Sequence, residues 1–87
     1  MNVRVELFGI ARRAAGVAAT TAAGGRLDEV LIDLARRFPQ LAQSCLGPGR
    51  LRPGYLANLN GDRFINDPTT PVAPGDCLLI LPADAGG

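Results

Sequence analysis

The sequence of 87 residues has no histidine, no tryptophan and no lysine, so its nine basic residues are all arginines. Without histidine the chain lacks the most common general base and metal ligand, which excludes a Ser-His-Asp triad and argues against a metal site. Without lysine it has no side-chain amine that could form a Schiff base or accept an isopeptide bond. We therefore expect no bound metal, no bound cofactor and no conventional catalytic centre.

Cysteine is also scarce, because Cys45 and Cys77 are the only two and are far from a Cys-x-x-Cys spacing. No basic segment followed by an apolar core, as in a secretion signal, precedes them, so we expect two buried free thiols in a reducing cytoplasm. The apolar runs are too short to span a bilayer. A net charge of +1 is too small to indicate a basic surface for nucleic-acid binding. We expect neither a membrane nor a nucleic acid as a partner.

Hydrophobic periodicity predicts one α+β domain at residues 1–82. Residues 2–8 alternate, with Val3, Val5 and Leu7 on one side, as in a strand with one wet face. From residue 27 to residue 38 the apolar side chains instead follow the spacing of an amphipathic helix. Such a helix must bury its apolar stripe, and we expect it to lie against a sheet.

The second half of the chain predicts further strands. Residues 55–59 and 63–66 form a hairpin around Asn60-Gly61, and residues 77–81, apolar on both faces, suit a central strand whose pairing ends at Pro82. Residues 41–46 predict one helical turn and residues 47–54 a loop. Residues 10–23 stay ambiguous, because their alanines favour helix while their glycine and threonines favour a turn and a weak strand. The expected fold is a mixed sheet of four to five strands with one main helix across one face.

Residues 83–87 form a short tail of small residues that ends on Gly86 and Gly87. We expect this tail to be flexible. Together with Pro82 it makes six residues, which reach about 20 Å when extended, enough to enter a channel in a partner. Glycines at its tip permit the close approach of a catalytic wall. The carboxylate of Gly87 is a poor electrophile, so a partner would have to activate it, for instance as an acyl adenylate made from ATP. A frayed end or a linker remnant is the simpler alternative.

The predicted last strand has a further property, because only one side of it can pack on the helix. Its other side is apolar as well. This pattern indicates either a docking surface beside the tail or a strand that a loop covers.

Five segments along the chain resemble the ubiquitin-like β-grasp sulfur carriers, the family that includes the small subunit of molybdopterin synthase (MoaD) and the thiamine sulfur carrier (ThiS). In chain order they are Val3-Arg4-Val5-Glu6-Leu7-Phe8-Gly9 with Ala14-Ala15-Gly16, the helix at residues 27–38, Leu59-Asn60-Gly61, Val72-Ala73-Pro74-Gly75-Asp76, and Leu81-Pro82-Ala83-Asp84-Ala85-Gly86-Gly87. Each is weak alone, but their order and spacing, with the diglycine at the end, are specific.

The resemblance implies that the ambiguous alanine-rich stretch at residues 10–23 is the second strand of an N-terminal hairpin, and that Leu78 and Ile80 face the helix while Leu79 and Leu81 face outward. It also implies the chemistry: an activating enzyme of the E1 type uses ATP to adenylate Gly87, which becomes a thiocarboxylate and gives its sulfur to a biosynthetic intermediate on a second partner enzyme.

On this interpretation Gly87 is the reactive residue, and Leu79, Leu81, Ala85 and Gly86 bind partners. The ATP belongs to the activating enzyme, and the chain itself is a carrier rather than an enzyme. The second partner could be the large subunit of molybdopterin synthase.

The segment before the tail departs from part of this family. Molybdopterin-synthase subunits tend to carry aromatics and a double proline where this chain has Ile80-Leu81-Pro82-Ala83, which is closer to carriers that supply sulfur for cysteine or other metabolites. Asp84 also places a charge where an apolar residue is common. Two other functions stay open: a protein modifier joined to lysines of other proteins through Gly87, and a noncatalytic binding module with an incidental diglycine.

Overall fold

The computed structural model describes residues 2–86, with side chains to residue 84. The chain forms seven strands, three helices and a final 3₁₀ turn within these residues. In order they are β1 (Asn2–Leu7), α1 (Gly9–Ala15), β2 (Ala19–Ala23), α2 (Leu27–Arg37), α3 (Pro39–Cys45), β3 (Leu46–Gly47), β4 (Arg50–Leu51), β5 (Tyr55–Leu59), β6 (Arg63–Ile65), β7 (Cys77–Pro82) and the turn Ala83–Gly86. The predicted α+β class is confirmed.

Five strands form one mixed sheet in the order β2-β1-β7-β5-β6. The two strands from opposite ends of the chain, β1 and β7, pair in parallel, and the other neighbours are antiparallel. Strand β7 is therefore central, as its apolar faces predicted. Strands β3 and β4 form a separate two-stranded ribbon.

The core lies between one face of the sheet and the helices. Alternate residues of β1 are buried, as the period of two predicted, and α2 buries the stripe that its helical spacing predicted. The fully enclosed large side chains are Leu7, Leu31, Leu34, Leu41, Leu78, Ile80, Val3, Val5, Val30 and Cys45. Burial of apolar surface contributes roughly 1.5 to 3 kcal/mol for each such aliphatic side chain before entropy is subtracted, so this layer is the main stabilising element.

Acidic side chains tie α2 to its neighbours. Glu29 accepts a hydrogen bond from the backbone N–H of Gly25 at 2.8 Å, just before the helix begins. In the middle of the helix, Asp33 accepts one from the N–H of Ala23 at 3.1 Å, which connects α2 to the edge strand β2. These carboxylates satisfy backbone donors that lack a partner in the regular structure, so the entry to α2 is held in place.

Residues 10–23 divide into two elements, and the expectation of a simple hairpin was wrong for the first of them. The alanine-rich half forms α1, with Ala11 buried, and Gly16 ends it in the left-handed conformation at φ +78°. The second half forms β2, where Val5 lies opposite Thr20 in antiparallel register. Helix propensity and the burial of Ala11 determine the first half, and pairing with β1 determines the second.

Three boundaries also differ from expectation. Helix α3 is longer than one turn, and the predicted loop at 47–54 contains the ribbon β3–β4, closed by a hydrogen bond from Arg52 Nε to the carbonyl of Leu46 at 2.9 Å. Pro82 does not end the pairing of β7, because it lies opposite Tyr55. Proline has no N–H, but the next amide, that of Ala83, donates to the carbonyl of Gly54 at 2.7 Å and continues the ladder.

Candidate carrier tail and docking face

The tail leaves the domain at the end of the central strand. The hydrogen bond from Ala83 to Gly54 holds its first residue, and Gly9 packs against Pro82 so closely that a Cβ at Gly9 would lie 2.8 Å from the proline Cγ. The backbone of Ala85 and Gly86 lies in the 3₁₀ turn that follows. The predicted reactive residue, Gly87, lies outside the described residues. Its role and the flexibility of the tail therefore stay predictions.

The side of the sheet that faces away from the helices carries an apolar surface, which we call the outer face: Phe8, Leu56, Asn58, Phe64, Leu79 and Leu81. As expected, Leu78 and Ile80 are fully buried, whereas Leu79 and Leu81 stay partly exposed. Phe64 is 62% exposed and Phe8 40% exposed. The centre of the face is a depression of about 290 Å³. Side chains of this size and exposure form a surface suited to a protein partner.

Sequence reasoning identified Leu79 and Leu81 but missed the other members of the outer face. Phe64 and Asn58 occupy the same row as Leu79, because each lies opposite its neighbour in the register of β6, β5 and β7. The alternation of β6 between exposed Phe64 and buried Ile65 is a signal that could have found the phenylalanine. The position of Phe8 after β1 could not be read in this way, since it depends on the turn into α1.

A polar margin borders the outer face near the start of β7. Arg4 and Glu6 form an ion pair at 3.1 Å, and the thiol of Cys77 donates to the same carboxylate at 3.4 Å. The bond from Arg4 is the main cause of a lowered pKa at Glu6, with the Cys77 thiol second. Burial, followed by the adjacent Glu6, raises the pKa of Cys77. This thiol therefore stays protonated and is a weak nucleophile at neutral pH.

A second cavity of about 820 Å³ lies between the β3–β4 ribbon and the edge of the sheet. Arg50, Arg52 and Tyr55 line it, and none of the described residues in its wall carries a carboxylate. Tyr55 is also the residue opposite Pro82, so this positively charged groove opens beside the root of the tail.

Residues 2–86 contain no group of three or more side chains placed to hold a metal ion. No helix in the same range is both long and apolar enough to cross a membrane.

A five-stranded mixed sheet with parallel terminal strands and a helix across one face is the ubiquitin-like β-grasp fold. Its central last strand, β7, leads directly into the tail. The model of the ThiS family matches residues 5–87, and the chain belongs to that family.

The relatives agree with this assignment. The chain is 32% identical over 93 residues to the protein named sulfur carrier protein CysO of Mycobacterium bovis, and the match covers 100% of both chains. The Amycolatopsis orientalis BexX/CysO complex contains a chain that is 27% identical with a TM-score of 0.80, covering 98% of this chain and 99% of that one. SAMP1 from Haloferax volcanii has a TM-score of 0.83 over 100% of both chains but only 22% identity, and shows the fold alone. The predicted family and its sulfur-carrier function are confirmed.

Proposed function

We propose that this chain carries sulfur on the carboxyl group of Gly87. The carboxylate attacks the α-phosphorus of ATP on an activating enzyme, which forms an acyl adenylate and releases pyrophosphate. Hydrosulfide then attacks the acyl carbon, AMP leaves, and the chain ends in a thiocarboxylate. Both steps need only ATP and hydrosulfide besides the chain, and the activating enzyme supplies the catalysis.

The observation that carries this proposal is the continuity between the outer face and the tail. Leu81 belongs to the outer face, Pro82 follows it at the end of β7, and the tail begins at the next residue. An enzyme that covers Leu79 and Leu81 is therefore positioned to receive the tail. Ala85 and Gly86 then lie in the narrow part of the enzyme's channel, where small residues let the channel wall come close to the tail.

The tail must be extended for this to happen. Residues 82–87 span about 20 Å when extended, whereas the 3₁₀ turn at Ala83–Gly86 is compact. Opening this turn costs little, because it contains only small residues and Asp84 and follows the last residue of the sheet. We propose that the partner selects the extended form and that the turn is the resting form.

The chain acts as a carrier and co-substrate in this proposal, not as an enzyme. The absence of histidine, the most common general base, and the raised pKa of Cys77, which keeps that thiol protonated, support this role. The acceptor is an enzyme that uses sulfur for cysteine or a related metabolite. The CysO relatives and the residues before the tail support that acceptor over molybdopterin synthase. Two free cysteines fit a reducing cytoplasm.

Intact-mass spectrometry tests the proposal. The purified chain is incubated with its cognate activating enzyme, ATP and sulfide, and we expect a product in which one oxygen is replaced by sulfur. A chain that lacks Gly87 is the control and should keep its mass. An unchanged mass for the full chain, while a known sulfur carrier is converted by its own enzyme under the same conditions, would overturn the proposal. The same samples, mixed with cell extract, distinguish a modifier, because only a modifier forms covalent adducts with other proteins.

A further inference from the structure

Asn58 is an anomaly at the centre of the outer face. It is only 8% exposed, and its side chain lines the apolar depression. Its Oδ1 atom is buried and accepts no hydrogen bond, and it is the only buried side-chain oxygen or nitrogen in this condition among residues 2–84. Buried polar groups are normally hydrogen-bonded, so an orphaned one calls for an explanation.

The surroundings of Asn58 explain why its Oδ1 finds no partner within residues 2–84. Leu79 and Phe64 lie directly opposite it on the two neighbouring strands, and neither side chain carries a polar atom. Among the described residues the remaining wall of the depression is Phe8, Gly61 and Leu81, and none of these three is charged. A leucine in the place of Asn58 would remove the unsatisfied amide and extend the apolar surface without a gap, because the two side chains are of similar size.

The fold therefore retains at this position a residue that weakens the free protein. We propose that Asn58 is the polar recognition residue of the outer face, and that its Oδ1 accepts a hydrogen bond from a neutral donor, a hydroxyl or amide, of the activating enzyme. This inference rests on the proposed function, because it takes as its occupant the enzyme that must cover the end of β7 in order to reach the tail.

The lining of the depression restricts the donor. Its wall is apolar, which disfavours a lysine or arginine head group, because that group would lose its hydration without a countercharge. Phe64 lies opposite Asn58 and is 62% exposed, and the inference requires that its side chain move aside when the partner donates to the buried oxygen. A partner that presents only apolar groups here would seal the amide in a dry interface without a hydrogen bond, so Asn58 also selects against such surfaces.

The test measures stability and partner recognition on the same variants. We expect Asn58→Leu to unfold at a higher urea concentration than the wild type, since it removes an unsatisfied buried group. In the thiocarboxylation assay with the cognate activating enzyme, we expect its KM to rise roughly 5- to 100-fold, because the donor of the enzyme is left unpaired, with kcat unchanged. Asn66→Leu makes the same chemical change at an exposed site outside the outer face and should leave KM unchanged.

A second substitution separates hydrogen bonding from shape. Asn58→Thr keeps an acceptor oxygen on a residue that suits a strand, and it should recover part of the binding that Asn58→Leu loses. Equal loss in both variants, or a wild-type KM in Asn58→Leu, would overturn the inference. Lower stability of Asn58→Leu would also overturn it, because the amide would then have a partner in the free chain.

The two proposals fail in different ways. If the wild type is thiocarboxylated and Asn58→Leu is an equally good substrate, only the role of Asn58 fails. If the wild type binds the activating enzyme but is not modified, the proposed function fails. The role of Asn58 is then decided by calorimetric titration, which compares the dissociation constants of the wild type and Asn58→Leu for that enzyme. If the wild type does not bind at all, both fail.

Discussion

Leu78 and Leu79 are adjacent residues of the same type on opposite faces of β7, and truncating each to alanine separates stability from recognition. Leu78 is fully buried beneath the helices, so Leu78→Ala leaves a cavity and should cost about 3 to 5 kcal/mol of the free energy of unfolding. A domain of 87 residues has only about 4 to 13 kcal/mol in total. This variant is therefore expected to lose a large part of that stability and to unfold at a much lower urea concentration than the wild type.

Leu79→Ala should behave in the opposite way. Leu79 is partly exposed on the outer face, where truncation removes little buried surface and leaves no closed cavity, so we expect a cost of about 1 kcal/mol or less. Its KM in thiocarboxylation should rise about tenfold, the effect of losing an apolar side chain from the centre of an interface. Its kcat should be unchanged, since the tail is intact.

Urea unfolding measures the free energy of unfolding of both variants. It is followed by far-ultraviolet circular dichroism, because the chain has no tryptophan for fluorescence. Thiocarboxylation by the activating enzyme, followed by intact mass, measures the KM of each variant. Equal destabilisation by the two substitutions would refute the assignment of opposite faces. A wild-type KM for Leu79→Ala would refute the outer face as the docking surface.

Three further predictions concern other parts of the chain. Asp33→Asn should lose about 1 kcal/mol of the free energy of unfolding at pH 7, because Asp33 accepts the hydrogen bond from Ala23 that is the main cause of its lowered pKa. A lowered native pKa stabilises the fold above the unfolded-state pKa, and this contribution disappears as the pH falls through the native pKa. The difference from the wild type in urea unfolding should therefore shrink as the pH falls below about 4, and a constant difference would contradict us. Gly24→Ala should cost about 1 to 3 kcal/mol in urea unfolding, since its Cβ would lie 2.9 Å from the backbone nitrogen of Val30. Gly25→Ala is the control and should change stability by less than about 0.5 kcal/mol, because its Cβ would meet only one side-chain oxygen, at 3.6 Å. Similar costs for the two variants would show that the close approach at Gly24 is unimportant. Deleting Gly87 should leave the urea midpoint unchanged and abolish thiocarboxylation, and unfolding of that variant would contradict the separation of tail and domain.

The prediction from sequence was accurate where a single periodic signal agreed with the tertiary environment. The alternation in β1 and the helical spacing in α2 each marked the side that the core buries. The prediction failed at 10–15 because the same alanines satisfy a helix or a turn, and the burial of Ala11 decides between them. It failed at the ribbon because two-residue strands carry no periodic signal of their own.

Only part of the candidate site could be predicted from the sequence. The diglycine tail and the apolar last strand could be identified from the chain alone, because they are local runs of residue type. The family resemblance supplied their chemistry. The full outer face could not be predicted from the sequence. Its members Phe8, Asn58 and Phe64 become neighbours of Leu79 only when β1, β5 and β6 assemble around β7. An asparagine is ordinary in a sequence, and only strand register, which buries it between two apolar neighbours, makes Asn58 a polar group without a partner.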